Sequence, residues 1–393
     1  MLTAVQIVPD VYWVGGIDWN ARSFHGYSTE DGITYNAYLI MDEQVTLIDT
    51  AKSAFKGEFL DRLSSIVDPA KIDNLIVNHV ELDHSGNVPT IRELAPNCKI
   101  YASAPKGIAH LKAHFGDLGY EPVKTGDSLQ IGSRTLHFVQ TPMVHWPDNM
   151  VTWDPADGIL FSNDAFGQHF ASSARFDDEN DLHEVMKQAR KYYANIVLPY
   201  QMQASKAVAA VRGLEGLKMI CPAHGVCWRS HVDEILDAYE NVFTSGAVEE
   251  KALIVYDSMW GSTDKMAHAI CDAFLAKDVP ARLMDLKDNH ISDAMEAFLD
   301  CKYLAVGSPT LNSQMLPTVS AFLTYLKGLS PKNGNRVAVA FGSYGWAPLG
   351  PKGVGAELES VGFEMPLGVV STSWIPDQGF LDDLREKVMG VIG

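Results

Sequence analysis

The hexapeptide His79-Val80-Glu81-Leu82-Asp83-His84 carries four potential metal ligands. It follows Asn74-Leu75-Ile76-Val77-Asn78, an apolar run that reads as a buried strand, and Ser85-Gly86-Asn87 is expected to turn the chain straight after it. A strand end that releases such residues into a tight loop holds several side chains around one point. Strongly solvated groups crowd there only where something cationic offsets their desolvation and mutual repulsion. The ordinary alternative is a solvated polar turn beside a strand, and ligand-type residues further along the chain argue against it.

With 393 residues the chain has room for two or three domains, and at 47% hydrophobic and 20% charged it reads as globular and soluble. A net charge of −18 argues against a general binder of nucleic acid or anionic membrane. No apolar run reaches the length of a membrane span. Met1–Val5 lacks the basic start and apolar core of a signal peptide. The five cysteines, Cys98, Cys221, Cys227, Cys271 and Cys301, form no CxxC pair. That argues against a rubredoxin-type iron site, a zinc ribbon or a disulfide framework, and makes a reducing cytoplasm the expected compartment.

Two rhythms divide the chain. Residues 1–247 mix short strands with helices, which suggests a layered αββα sandwich with ligands on loops at one sheet edge. From 250 to 393 apolar strands alternate with amphipathic helices, and five such strands read as a doubly wound parallel sheet, an α/β domain. Ser245-Gly246-Ala247 is the expected junction.

Three further ligand-type residues sit at loop positions in the first part: His145 in Met143-Val144-His145-Trp146-Pro147-Asp148, Asp164 in Ser162-Asn163-Asp164-Ala165, and His224 in Cys221-Pro222-Ala223-His224-Gly225. The series HxExDH, then His, Asp and His, resembles the metallo-β-lactamase superfamily. That superfamily's hydrolases usually have His where this chain has Glu81, and the added carboxylate favours iron over zinc. The superfamily pattern implies that His79, Glu81 and His145 hold one metal, and that Asp83, His84 and His224 hold the other. Asp164 would bridge them, and each metal would keep an open position for substrate. Adjacent side chains on a tight turn often point apart, which sets His84 against Asp83. His25, flanked by Phe24 and Tyr27, is a candidate proton donor beside the ligands, and Tyr193 and His169 are weaker candidates of the same kind. The remaining histidines read as surface or packing residues.

In the second part, the strand ending at Tyr256 runs into Asp257-Ser258-Met259-Trp260-Gly261-Ser262-Thr263 and then a helix. Hydroxyls and backbone N–H groups at a helix N-terminus suit a phosphate, and without GxGxxG or a Walker lysine a dinucleotide or nucleoside triphosphate fits poorly. Pro309-Thr310-Leu311-Asn312 and Ser343-Tyr344-Gly345-Trp346 follow the third and fourth strands. Ligands of open parallel sheets bind outside the strands' carboxyl ends, where all three loops fall. The three loops resemble the flavin-contacting loops of flavodoxins, with Trp346 or Tyr344 covering the ring face.

A metallo-β-lactamase-like HxExDH domain followed by a flavodoxin domain resembles the flavodiiron proteins, over essentially the whole chain. The resemblance implies a centre of two Fe ions and an FMN. It implies reduction of dioxygen to water, of nitric oxide to nitrous oxide, or of both. It also implies a head-to-tail homodimer, or a dimer of dimers, in which each FMN meets the irons of the other subunit. Electrons would come from a separate donor such as rubredoxin, or from a reduced deazaflavin coenzyme. Where many relatives carry Ser-Gly-Gly after Tyr-Gly-Trp, this chain has Ala347-Pro348-Leu349-Gly350-Pro351, a stiffer and less polar turn. The rival readings are a zinc hydrolase with an accessory flavodoxin domain, which Glu81 opposes, and an electron-transfer protein whose metal site only shapes the fold.

Overall fold

The computed structural model describes residues 2–329, 331 and 335–392. The chain forms two compact units. The first comprises Met1–His25, Thr29–Tyr192 and Tyr200–Glu240, and the second Gly26–Ser28, Tyr193–Pro199 and Asn241–Gly393.

In the first unit, strand Asn74–Val77 lies inside a seven-stranded sheet, between Thr46–Ile48 and Lys99–Ser103 and parallel to both. Side chains alternate across a strand. Leu39, Leu47, Leu75 and Val77 therefore pack on one face with the helix residues Phe59, Leu63, Ile91 and Leu111. Ile40, Ile48 and Ile76 take the other face, against Phe138, Met150, Ile159, Phe161 and Met219 of a five-stranded sheet. Both faces are covered, so these strands read as continuous apolar runs. The layered αββα architecture expected from the sequence is present.

Local details differ from expectation. The run Tyr35–Ile40 is two strands, Ile33–Tyr35 and Tyr38–Ile40, because Asn36 leaves the sheet. Its N–H donates to Ala223 O at 2.8 Å, and its amide donates to Pro222 O at 2.8 Å and Gly225 O at 3.1 Å while accepting from Trp13 Nε1. Likewise the run Val11-Tyr12-Trp13-Val14-Gly15 is strand only from Val11 to Trp13. The hexapeptide is no simple loop. Glu81 caps a single helical turn, Leu82–Ser85, and Ser85-Gly86-Asn87 leads into helix Val88–Leu94 rather than reversing the chain. Edge strands such as Tyr120–Val123, with Pro122 inside it, escaped notice because proline and polar residues mask a short edge strand.

The second unit holds a five-stranded, all-parallel sheet ordered Ala281–Asp285, Glu249–Tyr256, Cys301–Gly307, Val337–Tyr344, Val369–Ser373. The strand order reverses beside Glu249–Tyr256, so a crevice opens at its carboxyl end. The last strand, Val369–Ser373, runs three residues past the apolar run Leu367-Gly368-Val369-Val370. Two short segments from earlier in the chain join this unit. Ser28 N–H donates to Ser292 Oγ at 3.1 Å, and Asn195 donates to Ser292 O at 3.1 Å and accepts from Tyr325 Oη at 2.8 Å. No helix among the described residues is long and apolar enough to cross a membrane.

Phe161 is buried between the two sheets of the first unit. Phe161→Ala is expected to cost about 3–5 kcal/mol through lost contacts and a residual cavity. The measurement is the urea midpoint of the first unit's unfolding, and an unchanged midpoint would contradict this packing.

Candidate metal centre and ligand cleft

Three strand ends and one loop bring seven ligand-type side chains together in the first unit, in two groups. In the first group, His79 Nε2 lies 3.3 Å from both Glu81 Oε2 and Asp164 Oδ2. His145 Nε2 lies 3.4 and 3.2 Å from the same two oxygens. In the second group, His84 Nε2 is 3.4 Å from Asp83 Oδ1 and 3.1 Å from Asp164 Oδ1. His224 Nε2 is 3.2 Å from Asp83 Oδ2 and 3.6 Å from Asp164 Oδ1. Asp164 thus turns one oxygen to each group. The helical turn Leu82–Ser85 lets Asp83 and His84 converge, although they are adjacent.

Other groups aim the rings. His79 Nδ1 donates to Asp148 Oδ2 at 2.9 Å, and His224 Nδ1 donates to Thr34 O at 2.6 Å, which turns each Nε2 toward the cluster. Asp148 is itself held by Val80 N–H at 2.9 Å.

Burial opposes charge on these groups, and their neighbours overcome it. The Asp164 carboxyl is pushed up by burial but held well below the ordinary carboxylate range by His84, His145 and His79. Burial pushes His84 down, while Asp83 and Asp164 lift it to about 9. His79 and His145 also rise against burial, through Asp148 and Glu81 for the first and Asp164 and Glu81 for the second. Both carboxylate oxygens of Asp83 and of Asp164, and both ring nitrogens of His84, are buried with no hydrogen-bond partner among the described residues. They meet only as opposed charges. Groups this buried are stable when paired or when they coordinate metals, and the mixed carboxylate and imidazole donors suit a pair of iron ions.

Around the cluster, His25 Nε2 lies 2.7 Å from Glu81 Oε1 while most of its side chain stays exposed. His169 is buried, its ring 5.0 Å from that of His224, and burial, with His224 beside it, holds it well below the ordinary histidine range. The tyrosine here is Tyr192 rather than Tyr193. Its ring lies 5.0 Å from His169 and 6.1 Å from His224, whereas Tyr193 belongs to the second unit and stacks on Phe243. Neighbouring residues of a helix diverge by about 100°, so a one-residue step changes the face. Asp148, Thr34, Tyr192 and Trp146, whose ring meets His79 edge-on at 5.3 Å, were not singled out from the sequence. Asp148 had a signal, since it closes the same short loop as His145.

In the second unit a cleft of about 500 Å³ opens at the carboxyl ends of the first, third and fourth strands. Of the expected residues, Met259, Trp260, Ser262, Pro309, Thr310, Leu311, Asn312, Ser343, Tyr344, Gly345 and Trp346 line it. Ser258, Gly261 and Thr263 shape it instead. Gly261, at φ +82°, donates its N–H to Ser258 Oγ at 3.0 Å, and Thr263 Oγ1 lies 3.4 Å from Ser343 Oγ. The helix Ser262–Leu275 starts at this wall, so its first N–H groups and hydroxyls offer a phosphate cradle. Trp260 and Trp346 are 93% and 90% exposed, which excludes a core role and leaves their faces open to a planar ring. Trp374 and Ile375, just past the end of the fifth strand, also line the cleft and were not singled out from the sequence. Trp374 N–H donates to Tyr344 O at 2.7 Å, and its ring stands 3.3 Å from where a Cβ on Gly345 would lie. The Ala347-Pro348 turn is pinned to the neighbouring loop: Thr310 Oγ1 donates to Ala347 O at 3.0 Å and accepts from Gly350 N–H at 2.9 Å.

Asp148→Asn keeps the shape but removes the charge behind His79, and metal affinity is expected to fall about 10–100-fold, measured by chelator competition. Unchanged affinity would mean that Asp148 does not support His79. In metal-free protein His84 carries its proton below a pKa of about 9. Metal uptake therefore displaces that proton, and the release should decline as pH rises through that value. Calorimetry in buffers of different ionisation enthalpy reads it, and pH-independent release would contradict the protonated His84.

Residues 33–225 match the family described as ODP family beta lactamase, and residues 254–386 match Flavodoxin. The chain is 42% identical to the nitric oxide reductase of Moorella thermoacetica, over 96% of this chain and 95% of that one. The solved structure of the rubredoxin oxygen:oxidoreductase from Desulfovibrio gigas superposes with a TM-score of 0.94 at 40% identity, covering 99% of this chain and 98% of that one. The flavodiiron protein from Giardia intestinalis superposes with a TM-score of 0.95 at 33% identity, covering 100% of this chain and 96% of that one. With that coverage of both domains, the paired ligand groups and the cleft at the strand ends, the chain belongs to the flavodiiron protein family of oxidoreductases.

Proposed function

We propose that this protein reduces dioxygen to water, nitric oxide to nitrous oxide, or both, at two irons held in the first unit, with electrons entering through FMN in the second. The observation that carries this reading is Asp164, whose two carboxylate oxygens each face one ligand group. That arrangement suits two adjacent metals binding one small substrate. His79, Glu81 and His145 would hold one iron and Asp83, His84 and His224 the other, with Asp164 between them. Ser258–Thr263 would hold the FMN phosphate, while Pro309–Asn312 and Ser343–Trp346 would hold its ring.

Bound FMN and the iron pair would supply stored electrons and open coordination positions for the gas. The remaining work falls to the chain's own residues. Asp148 and Thr34 hold the His79 and His224 rings in the tautomer whose Nε2 faces inward. Buried Trp13, Tyr35 and Tyr192 limit water in this part of the fold. His25, exposed on one side and 2.7 Å from Glu81 on the other, can carry a proton from solvent to the edge of the site. A rubredoxin-type donor fits the name carried by the D. gigas relative. The exposed aromatic rim of the cleft, Trp260, Trp346 and Trp374, supports a head-to-tail dimer that covers it.

The test is to reduce the iron- and FMN-loaded protein anaerobically with rubredoxin and follow consumption of dioxygen and of nitric oxide in parallel. Fast turnover of at least one gas is expected. Loaded protein that consumes neither would refute the reductase reading. In the same assay, His25→Ala should lower kcat about 10²-fold at unchanged iron and FMN content. Unchanged turnover would remove His25 from proton delivery.

A further inference from the structure

Cys221 and Cys227 stand three residues before and three residues after His224, at the two ends of its loop. Ile220 and Trp228 exchange both backbone hydrogen bonds at 2.9 Å, so the loop ends run antiparallel. One residue inward, the two cysteines oppose each other at a site where Cα atoms approach to about 4.5 Å. That separation lies within the range of about 4.4–6.8 Å that a disulfide spans. Both are free thiols and both are buried.

The surroundings favour chemistry over inert packing. The Tyr38 hydroxyl, which donates to Pro222 O at 2.7 Å, lies 3.5 Å from Cys227 Sγ. Arg175 is buried beside the pair and its carbonyl accepts from Cys227 N–H at 2.8 Å. Its Nε and Nη1 have no hydrogen-bond partner among the described residues, and its charge favours a thiolate at Cys227. Cys221 beside it holds the Cys227 thiol below its ordinary range, whereas burial pushes Cys221 well up. The two sulfurs are therefore unequal, with Cys227 the nucleophile.

We propose that Cys221 and Cys227 form a peroxide-responsive dithiol that closes to a disulfide across the base of the His224 loop. Cys227 Sγ attacks one oxygen of hydrogen peroxide, the O–O bond breaks, and the departing oxygen takes the thiol proton and leaves as water. Cys227 is left as a sulfenic acid. Cys221 Sγ then displaces its hydroxyl group, the S–S bond forms, and the second thiol proton leaves in a second water. The two sulfurs lose two electrons in all, and the peroxide gains them. Burial excludes bulky thiol reagents. The closed ring of seven residues, 221 to 227, restrains the loop that presents His224. The inference is independent of which gas the protein reduces.

The test treats oxidised holoprotein with hydrogen peroxide under argon, quenches in acid, denatures and alkylates, and then measures the tryptic peptide 219–229, which holds both cysteines. The expected result is a peptide lighter by two hydrogens and closed to alkylation, restored to double alkylation by dithiothreitol, while Cys98 and Cys301 stay alkylatable. In Cys221→Ser the reaction should stop at a sulfenic acid on Cys227 that dimedone traps. A peptide that remains doubly alkylated in peroxide-treated holoprotein overturns the proposal, and so does one that gains oxygen on a single sulfur without losing two hydrogens.

Discussion

The first unit depends on the desolvation of one carboxylate. Asp164 lies buried among four histidines, with Glu81 and Asp83 close by. Taking so many ionisable groups out of water is unfavourable unless opposite charge meets each of them. In the bare protein the histidines take up protons, as the upward shifts of His79, His84 and His145 express. Metal ions at the two ligand groups would perform the same neutralisation at fixed points. The site is then a cation trap whose selectivity follows from its donors, three carboxylates and four imidazoles without thiolate, a set suited to iron.

The sandwich around the trap exists to hold loops at set distances. Ligands leave the carboxyl ends of Asn74–Val77, Ile159–Asn163 and Met219–Pro222, strands drawn from two different sheets. The isoleucines and aromatics between the sheets fix that spacing. Asn36 and Trp13 then tie the first sheet to the His224 loop through the carbonyls of Pro222 and Gly225. A polar residue inside an apolar run, which looks like a defect in a strand, is a clamp on a ligand loop. The opposed cysteines at the base of that loop add a second restraint that chemistry can switch.

The second unit uses the opposite economy. Its crevice leaves large aromatics in water, with Trp260 and Trp346 at least nine-tenths exposed. Such exposure is unfavourable for an isolated chain and signals surfaces meant to be covered. The Thr310 hydroxyl and Gly350 lock the two ring-side loops together, so the departure Ala347-Pro348-Leu349 stiffens a wall instead of disturbing it.

The ligand types, their order and the two architectures were legible in the sequence. HxExDH after an apolar strand, hydroxyl-rich strand ends, and the change from mixed to alternating elements are local patterns, and local patterns survive in one dimension. Whether Asp83 and His84 can converge depended on a helical turn forming after Glu81. Asp148 behind His79 and Tyr192 in place of Tyr193 depended on where a ring or carboxylate points once helices and sheets pack. Trp374 entered the cleft because its strand extends three residues further than its apolar run. The pairing of Cys221 with Cys227 depended on the bonds between Ile220 and Trp228. Residue types and spacing follow from the chain alone, whereas direction, register and approach are set by packing across distances that a linear pattern does not encode.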